Sequence, residues 1–131
     1  MITPLRPLLG ELVYVIENVP GAPLVDPVML CGTMFGLRSG AGTVIRRHRH
    51  FEMPWFCGLV PMCRHEPGNT ITVTGHGTTS GNRDTLGRNV PIRERREAMR
   101  IDWTNRDELS EAIPPAYTEL IGRHLLEHLS K

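Results

Sequence analysis

Eleven prolines and thirteen glycines punctuate this chain of 131 residues, close to a fifth of all positions, and confine it to short elements joined by many turns. That spacing argues against a long helical bundle. At 14.7 kDa the chain has room for one domain with its own core and not for several. Apolar types at 40% and charged types at 22% give a globular composition rather than that of a disordered chain. The longest apolar run, residues 12–16, falls far short of the roughly 20 residues a membrane-spanning helix needs, so no membrane partner is expected. Pro4, Arg6, Pro7, Gly10 and Glu11 interrupt the region where an export signal would lie, which predicts a cytoplasmic protein. Three cysteines, Cys31, Cys57 and Cys63, are an odd number in such a chain and are expected as free thiols.

The net charge of +1 conceals an asymmetry. Between residues 38 and 100, eleven arginines stand against five acids, and the rest of the chain is acidic. Fourteen of the fifteen basic residues are arginine, whose planar fork suits bidentate contact with phosphate and guanine. A basic middle between acidic ends is therefore a candidate DNA-facing surface. Coding bias toward arginine accounts for the same composition, and charge alone does not choose between the two.

Leu12-Val13-Tyr14-Val15-Ile16 is a continuous β-prone run, the pattern of a strand buried on both faces in a parallel sheet. Asn18-Val19-Pro20-Gly21 ends it, placing Glu17 at its carboxyl end, where open α/β sheets hold ligands. A charge at that position also serves simply as the exit to solvent. Val28-Met29-Leu30 predicts a brief strand, and 36–42 a turn. If residues 46–51 are extended, Arg47, Arg49 and Phe51 share a face. Residues 70–74 alternate as a half-buried strand does, and 75–88 read as a loop. Helices are predicted from Pro91 to about Arg100, after an N-cap at 104–107, and from Pro114-Pro115 onward with an apolar stripe at Tyr117, Leu120, Ile121, Leu125 and Leu129.

Most chemical motifs are missing. The glycines at 75–81 lack the spacing and the following helix of a phosphate loop. Cys57, Cys63 and His65, with His76 nearby, supply metal-ligating types, but Cys-x5-Cys-x-His is not a recognised zinc spacing, and no metal is expected. No nucleophile elbow and no His-Glu-x-x-His helix is present.

Three segments in a fixed order carry a resemblance. Val15-Ile16-Glu17-Asn18-Val19, Arg47-His48-Arg49-His50-Phe51 and Ala112-Ile113-Pro114-Pro115 resemble the Glu-Asn-Val, Arg-x-Arg and Asn-Ala-Val-Pro blocks of the DNA (cytosine-5)-methyltransferases. Residues 14–37 and 96–129 are similar to bacteriophage and actinobacterial members of that family. The resemblance implies an α/β fold: an incomplete Rossmann-like methyltransferase sheet, a small irregular β-rich target-recognition-like region, and C-terminal helices. On that reading residues 1–52 are the C-terminal part of the catalytic domain, 53–90 the target-recognition-like region, and 91–131 the helical segment returning to the catalytic domain. It also implies a bacterial or phage-infected host.

In such enzymes a cytosine is flipped out of double-stranded DNA, a cysteine attacks its carbon 6, and carbon 5 takes a methyl group from S-adenosylmethionine. The resemblance assigns Glu17 to the cytosine edge and Arg47 and Arg49 to the base carbonyl. Glu111 and Ala112 fall at the cofactor pocket, with Glu111 standing where the family has asparagine. Arg46, His48, Arg64, Arg83 and Arg88 are expected to face DNA. The family's Phe-x-Gly-x-Gly-Gly loop and its Pro-Cys nucleophile are absent from the sequence. The chain thus reads as the C-terminal half of such an enzyme, inactive alone and binding S-adenosylmethionine only with a complementary N-terminal half. That half, or a second copy, is expected as its partner. The alternatives are a non-catalytic DNA-binding or regulatory module, and a truncated remnant.

Overall fold

A computed structural model describes residues 6–73 and 90–131, arranged as short strands and four helices. In chain order these are α1 (Arg6–Leu9), β1 (Ile16–Asn18), β2 (Val28–Leu30), a 3-10 turn (Gly32–Phe35), β3 (Val44–Ile45), β4 (Arg49–Glu52), β5 (Thr70–Ile71), α2 (Ile92–Met99), α3 (Arg106–Glu111) and α4 (Pro115–Leu129). This mixture of helices and small sheets is the α/β character expected from the sequence. The prolines and glycines account for its brevity, since no described strand exceeds four residues.

The larger sheet has order β1-β4-β2, with both pairings antiparallel and β4 in the centre. Glu17 lies opposite Phe51, and Phe51 also lies opposite Val28, while Leu30 faces Arg49. Because side chains alternate along a strand, Glu17, Arg49, Phe51, Val28 and Leu30 all project from one face. The expected shared face of Arg49 and Phe51 is thus present. The smaller sheet pairs β3 with β5 in parallel.

The first apolar run differs from expectation. Of residues 12–16 only Ile16 enters a strand, and Leu12, Val13 and Val15 are exposed. Burial on both faces needs a neighbour on each side. Here β1 is an edge strand, and among the described residues its outer side is unpaired.

The helical half follows its local signals. Asn105 caps α3 in a capping box: its side chain accepts from the Glu108 N–H while the Glu108 carboxylate accepts from the Asn105 N–H. Pro115 starts α4, where its missing N–H costs nothing. Tyr117 and Ile121 of the expected stripe are buried and Leu120 and Leu125 half-buried, while Leu129 has run out into solvent.

One core joins all three sequence segments. Leu30, Ile45 and Phe51 pack with Ile71 and Val73, with Ala98 and Met99 of α2, and with Tyr117 and Ile121 of α4. Tyr117 is central, its ring stacked on Phe35 at 5.2 Å and edge-on to Phe51 at 6.4 Å. Its burial is affordable because the phenol O–H donates to the Arg47 carbonyl at 2.5 Å. The described parts of segments 1–52, 53–90 and 91–131 therefore share one interior.

Candidate functional site

Two carboxylates leave the β1–β4 pair on opposite faces. Glu52, opposite Ile16, enters the side covered by α1 and the 23–25 segment and is 1% exposed. Arg6 grips it with two hydrogen bonds of 2.8 and 2.6 Å, and the Tyr14 hydroxyl and the Val25 N–H donate as well. The Arg6 hydrogen bond is the chief cause that holds the Glu52 carboxyl down at about 2, against a usual 4.5. Every acceptor site is filled, as a buried carboxylate requires.

Glu17 is on the other face, and its surroundings are different. Its Oε1 stands 3.4 Å from Nη1 of Arg49, with Arg49 mostly enclosed and Glu17 about one-third exposed. That oxygen is shielded from solvent and accepts no hydrogen bond among the described residues. The part of Glu17 that stays exposed sets a carboxylate acceptor beside the donors of Arg49.

Arg47 is committed elsewhere. Its guanidinium donates to the carbonyls of Val73 (3.0 Å), Ser110 (2.6 Å) and Ala112 (2.9 and 2.7 Å). Burial, reinforced by the charge of Arg49, pushes its pKa down to about 10. The carbonyls at 110 and 112 close the C-terminal end of α3, where the helix dipole favours a cation. Arg47 is therefore a clamp on the chain. Of the two arginines assigned to the base carbonyl, only Arg49 stands beside Glu17.

The same clamp decides the fate of Glu111 and Ala112. Glu111 is exposed, and the Ala112 N–H is spent on Glu108 and Leu109 while its carbonyl is spent on Arg47. The Glu111 side chain stays accessible, while the backbone polar groups of Ala112 are already engaged. Arg46 and Arg64, expected to face DNA, are exposed. Arg83 and Arg88 lie outside the described residues, as do His76 and the 75–88 loop.

His48, expected to face DNA, is half-buried and contacts other side chains. It joins a group in which Cys31 Sγ, His48, Cys63 Sγ and His65 all present a ligating atom within 4.8 Å of one another. His48 Nε2 lies 3.1 Å from His65 Nε2 and 3.6 Å from Cys63 Sγ, and His65 Nε2 lies 3.5 Å from Cys31 Sγ. Burial, aided by Arg46, lowers the His48 pKa, and burial with nearby Cys31 raises that of Cys63. Two members of the sequence-derived metal set, Cys63 and His65, are here; Cys57 is exposed and outside the group. Cys31 and His48 escaped notice because they are 17 residues apart and belong to different strand ends, so only their shared presence beside β4 links them. No described helix is long and apolar enough to cross a membrane.

No protein-family profile matches the chain, and neither a curated protein nor a solved structure matches it significantly.

Proposed function

We propose that the chain is the base-holding, C-terminal portion of a DNA cytosine-5 methyltransferase, working with an N-terminal half that carries the nucleophilic cysteine and the cofactor loop. The observation that carries this reading is the meeting of Glu17, about one-third exposed, with Arg49 across β1 and β4. A cytosine edge offers an exocyclic amine that donates and a carbonyl oxygen that accepts, the complement of a carboxylate beside a guanidinium. Glu17 accepts from the amine through one oxygen and, carrying a proton on the other, donates to ring nitrogen 3, while Arg49 donates to the carbonyl. Arg47 positions Arg49 from behind by anchoring the entry to β4.

The three resembling blocks support the family, and the edge position of β1 supports the need for a complementary half. Leu12, Val13, Val15 and Val19 lie exposed beside that edge, an apolar border of the kind a further strand or helix covers. The S-adenosylmethionine site and the parallel remainder of a Rossmann-like sheet belong, on this reading, to the N-terminal half. Exposed Arg46 and Arg64 serve the DNA backbone.

Co-expression with a polypeptide bearing the Phe-x-Gly-x-Gly-Gly and Pro-Cys blocks tests the proposal, with bisulfite sequencing as the readout. Methylation that depends on both chains and disappears with Glu17→Gln is the expected result. Methylation unchanged by Glu17→Gln overturns it, and salt-sensitive duplex binding without any methylation favours a non-catalytic DNA-binding module.

A further inference from the structure

The Cys31, His48, Cys63 and His65 group has the composition and dimensions of a tetrahedral metal centre. With zinc–sulfur bonds of about 2.3 Å and zinc–nitrogen bonds of about 2.0 Å, tetrahedral geometry separates nitrogen from nitrogen by about 3.3 Å and nitrogen from sulfur by about 3.5 Å. The chain places His48 Nε2 and His65 Nε2 3.1 Å apart, and two nitrogen-to-sulfur edges at 3.5 and 3.6 Å. Both imidazoles bring the same ring nitrogen to the meeting point, with the rings stacked at a 5.0 Å centroid distance. Two lone-pair nitrogens facing each other at that distance repel unless a cation or a shared proton lies between them.

The backbone around the group is built to hold it. Gly32, next to Cys31, admits no side chain, because a Cβ there would stand 2.4 Å from Ile45 Cγ2 and 2.5 Å from the Ile45 carbonyl oxygen. The Arg64 N–H, between Cys63 and His65, donates to Thr33 Oγ1 at 3.0 Å, and Thr33 Oγ1 also lies 3.2 Å from Cys31 Sγ. The two arms of the site are thus tied together outside the ligand atoms themselves.

We propose that Cys31, His48, Cys63 and His65 bind one zinc ion in a closed, structural S2N2 site. Thiolate and imidazole ligands in a tetrahedral set select zinc among the common divalent ions, and four protein ligands leave no position for a catalytic water. Binding releases the thiol protons of Cys31 and Cys63 and changes no oxidation state. The ion does for residues 53–69 what a core does elsewhere. That stretch contains no helix or strand and leaves Leu59 and Met62 almost fully exposed, yet Cys63 and His65 moor it to the end of β2 and to the approach to β4. His48 lies between Arg47 and Arg49, so the same ion fixes the backbone that aims both arginines.

Metal analysis of the whole chain, purified with reductant and without chelator, tests this directly. Stoichiometric zinc is expected, falling to near zero in Cys63→Ser and His65→Ala and staying stoichiometric in Cys57→Ser. Cobalt replacing zinc in the wild type should give the visible bands of a tetrahedral ion and a thiolate charge-transfer band. His65→Cys keeps the ligand number, so it should retain metal and strengthen that charge-transfer band even where the alanine variant fails to fold. Wild-type protein that takes up neither zinc nor cobalt stoichiometrically overturns the proposal. So does a charge-transfer band that survives loss of both Cys31 and Cys63, or a Cys31–Cys63 disulfide in place of bound metal.

Discussion

Two glutamate–arginine pairs sit on adjacent residue positions of one two-stranded unit, and they have opposite characters. Glu52 is buried, half-buried Arg6 holds it bidentately, and every lone pair is used. Glu17 and Arg49 approach to 3.4 Å, short of a hydrogen bond, with an acceptor oxygen left idle. A satisfied pair is a fastener, because nothing can bind to it without displacing what it already holds. An unsatisfied pair carries a standing desolvation cost. The difference teaches that residue type identifies neither; what separates them is the count of donors around each carboxylate.

The harshest way to break the contrast is Arg6→Leu, which leaves the Glu52 carboxylate buried without its cation. The largest loss of unfolding free energy among these variants is expected, read by denaturant titration. Next comes Arg47→Lys, which keeps the charge and discards the planar fork that reaches three carbonyls. About 2 kcal/mol should be lost, with α3 and the approach to β4 the first amides to lose hydrogen-exchange protection.

Acid sharpens the comparison. The folded Glu52 pKa, about 2, lies below the ordinary 4.5, so its stabilisation is fully present above about pH 4.5 and is lost as pH falls toward 2. Arg6→Leu should flatten that limb of the stability–pH curve, whereas Glu17→Gln should leave it in place. The smallest stability effect belongs to Glu17→Gln itself, within about 0.5 kcal/mol of wild type, since the pair is partly exposed and not hydrogen-bonded. Equal destabilisation by Glu17→Gln and by removal of Arg6 would erase the distinction between fastener and site.

What could be read from the sequence was what local chemistry decides. Asn105 and Glu108 announce their helix because a capping box needs only residues three apart, and Pro115 does so through its fixed φ. The strand at Val28–Leu30 follows from its short apolar run, and the shared face of Arg49 and Phe51 from alternation. The misread run at 12–16 has the composition of a buried strand, but burial is conferred by neighbours, and composition does not reveal whether they are there. Arg47 and Arg49 look equivalent in a motif, yet one contacts carbonyls 63 and 65 residues away and the other a carboxylate on β1. The cysteine and histidine group was half legible: Cys63-x-His65 is local, while Cys31 and His48 join only through the register of β2 against β4.

The embrace between Arg47 and the C-terminal helices also sets an order of events during synthesis. The Arg47 side chain waits for carbonyls at 110 and 112, and its own carbonyl waits for the hydroxyl of Tyr117, 70 residues later. A ribosome adding about 5–20 residues per second leaves that guanidinium without these partners for several seconds. The β4 sheet can collapse early, but Arg47 is locked only after residues 110–117 have been made. The approach to β4 is therefore fixed later than the strand it leads into.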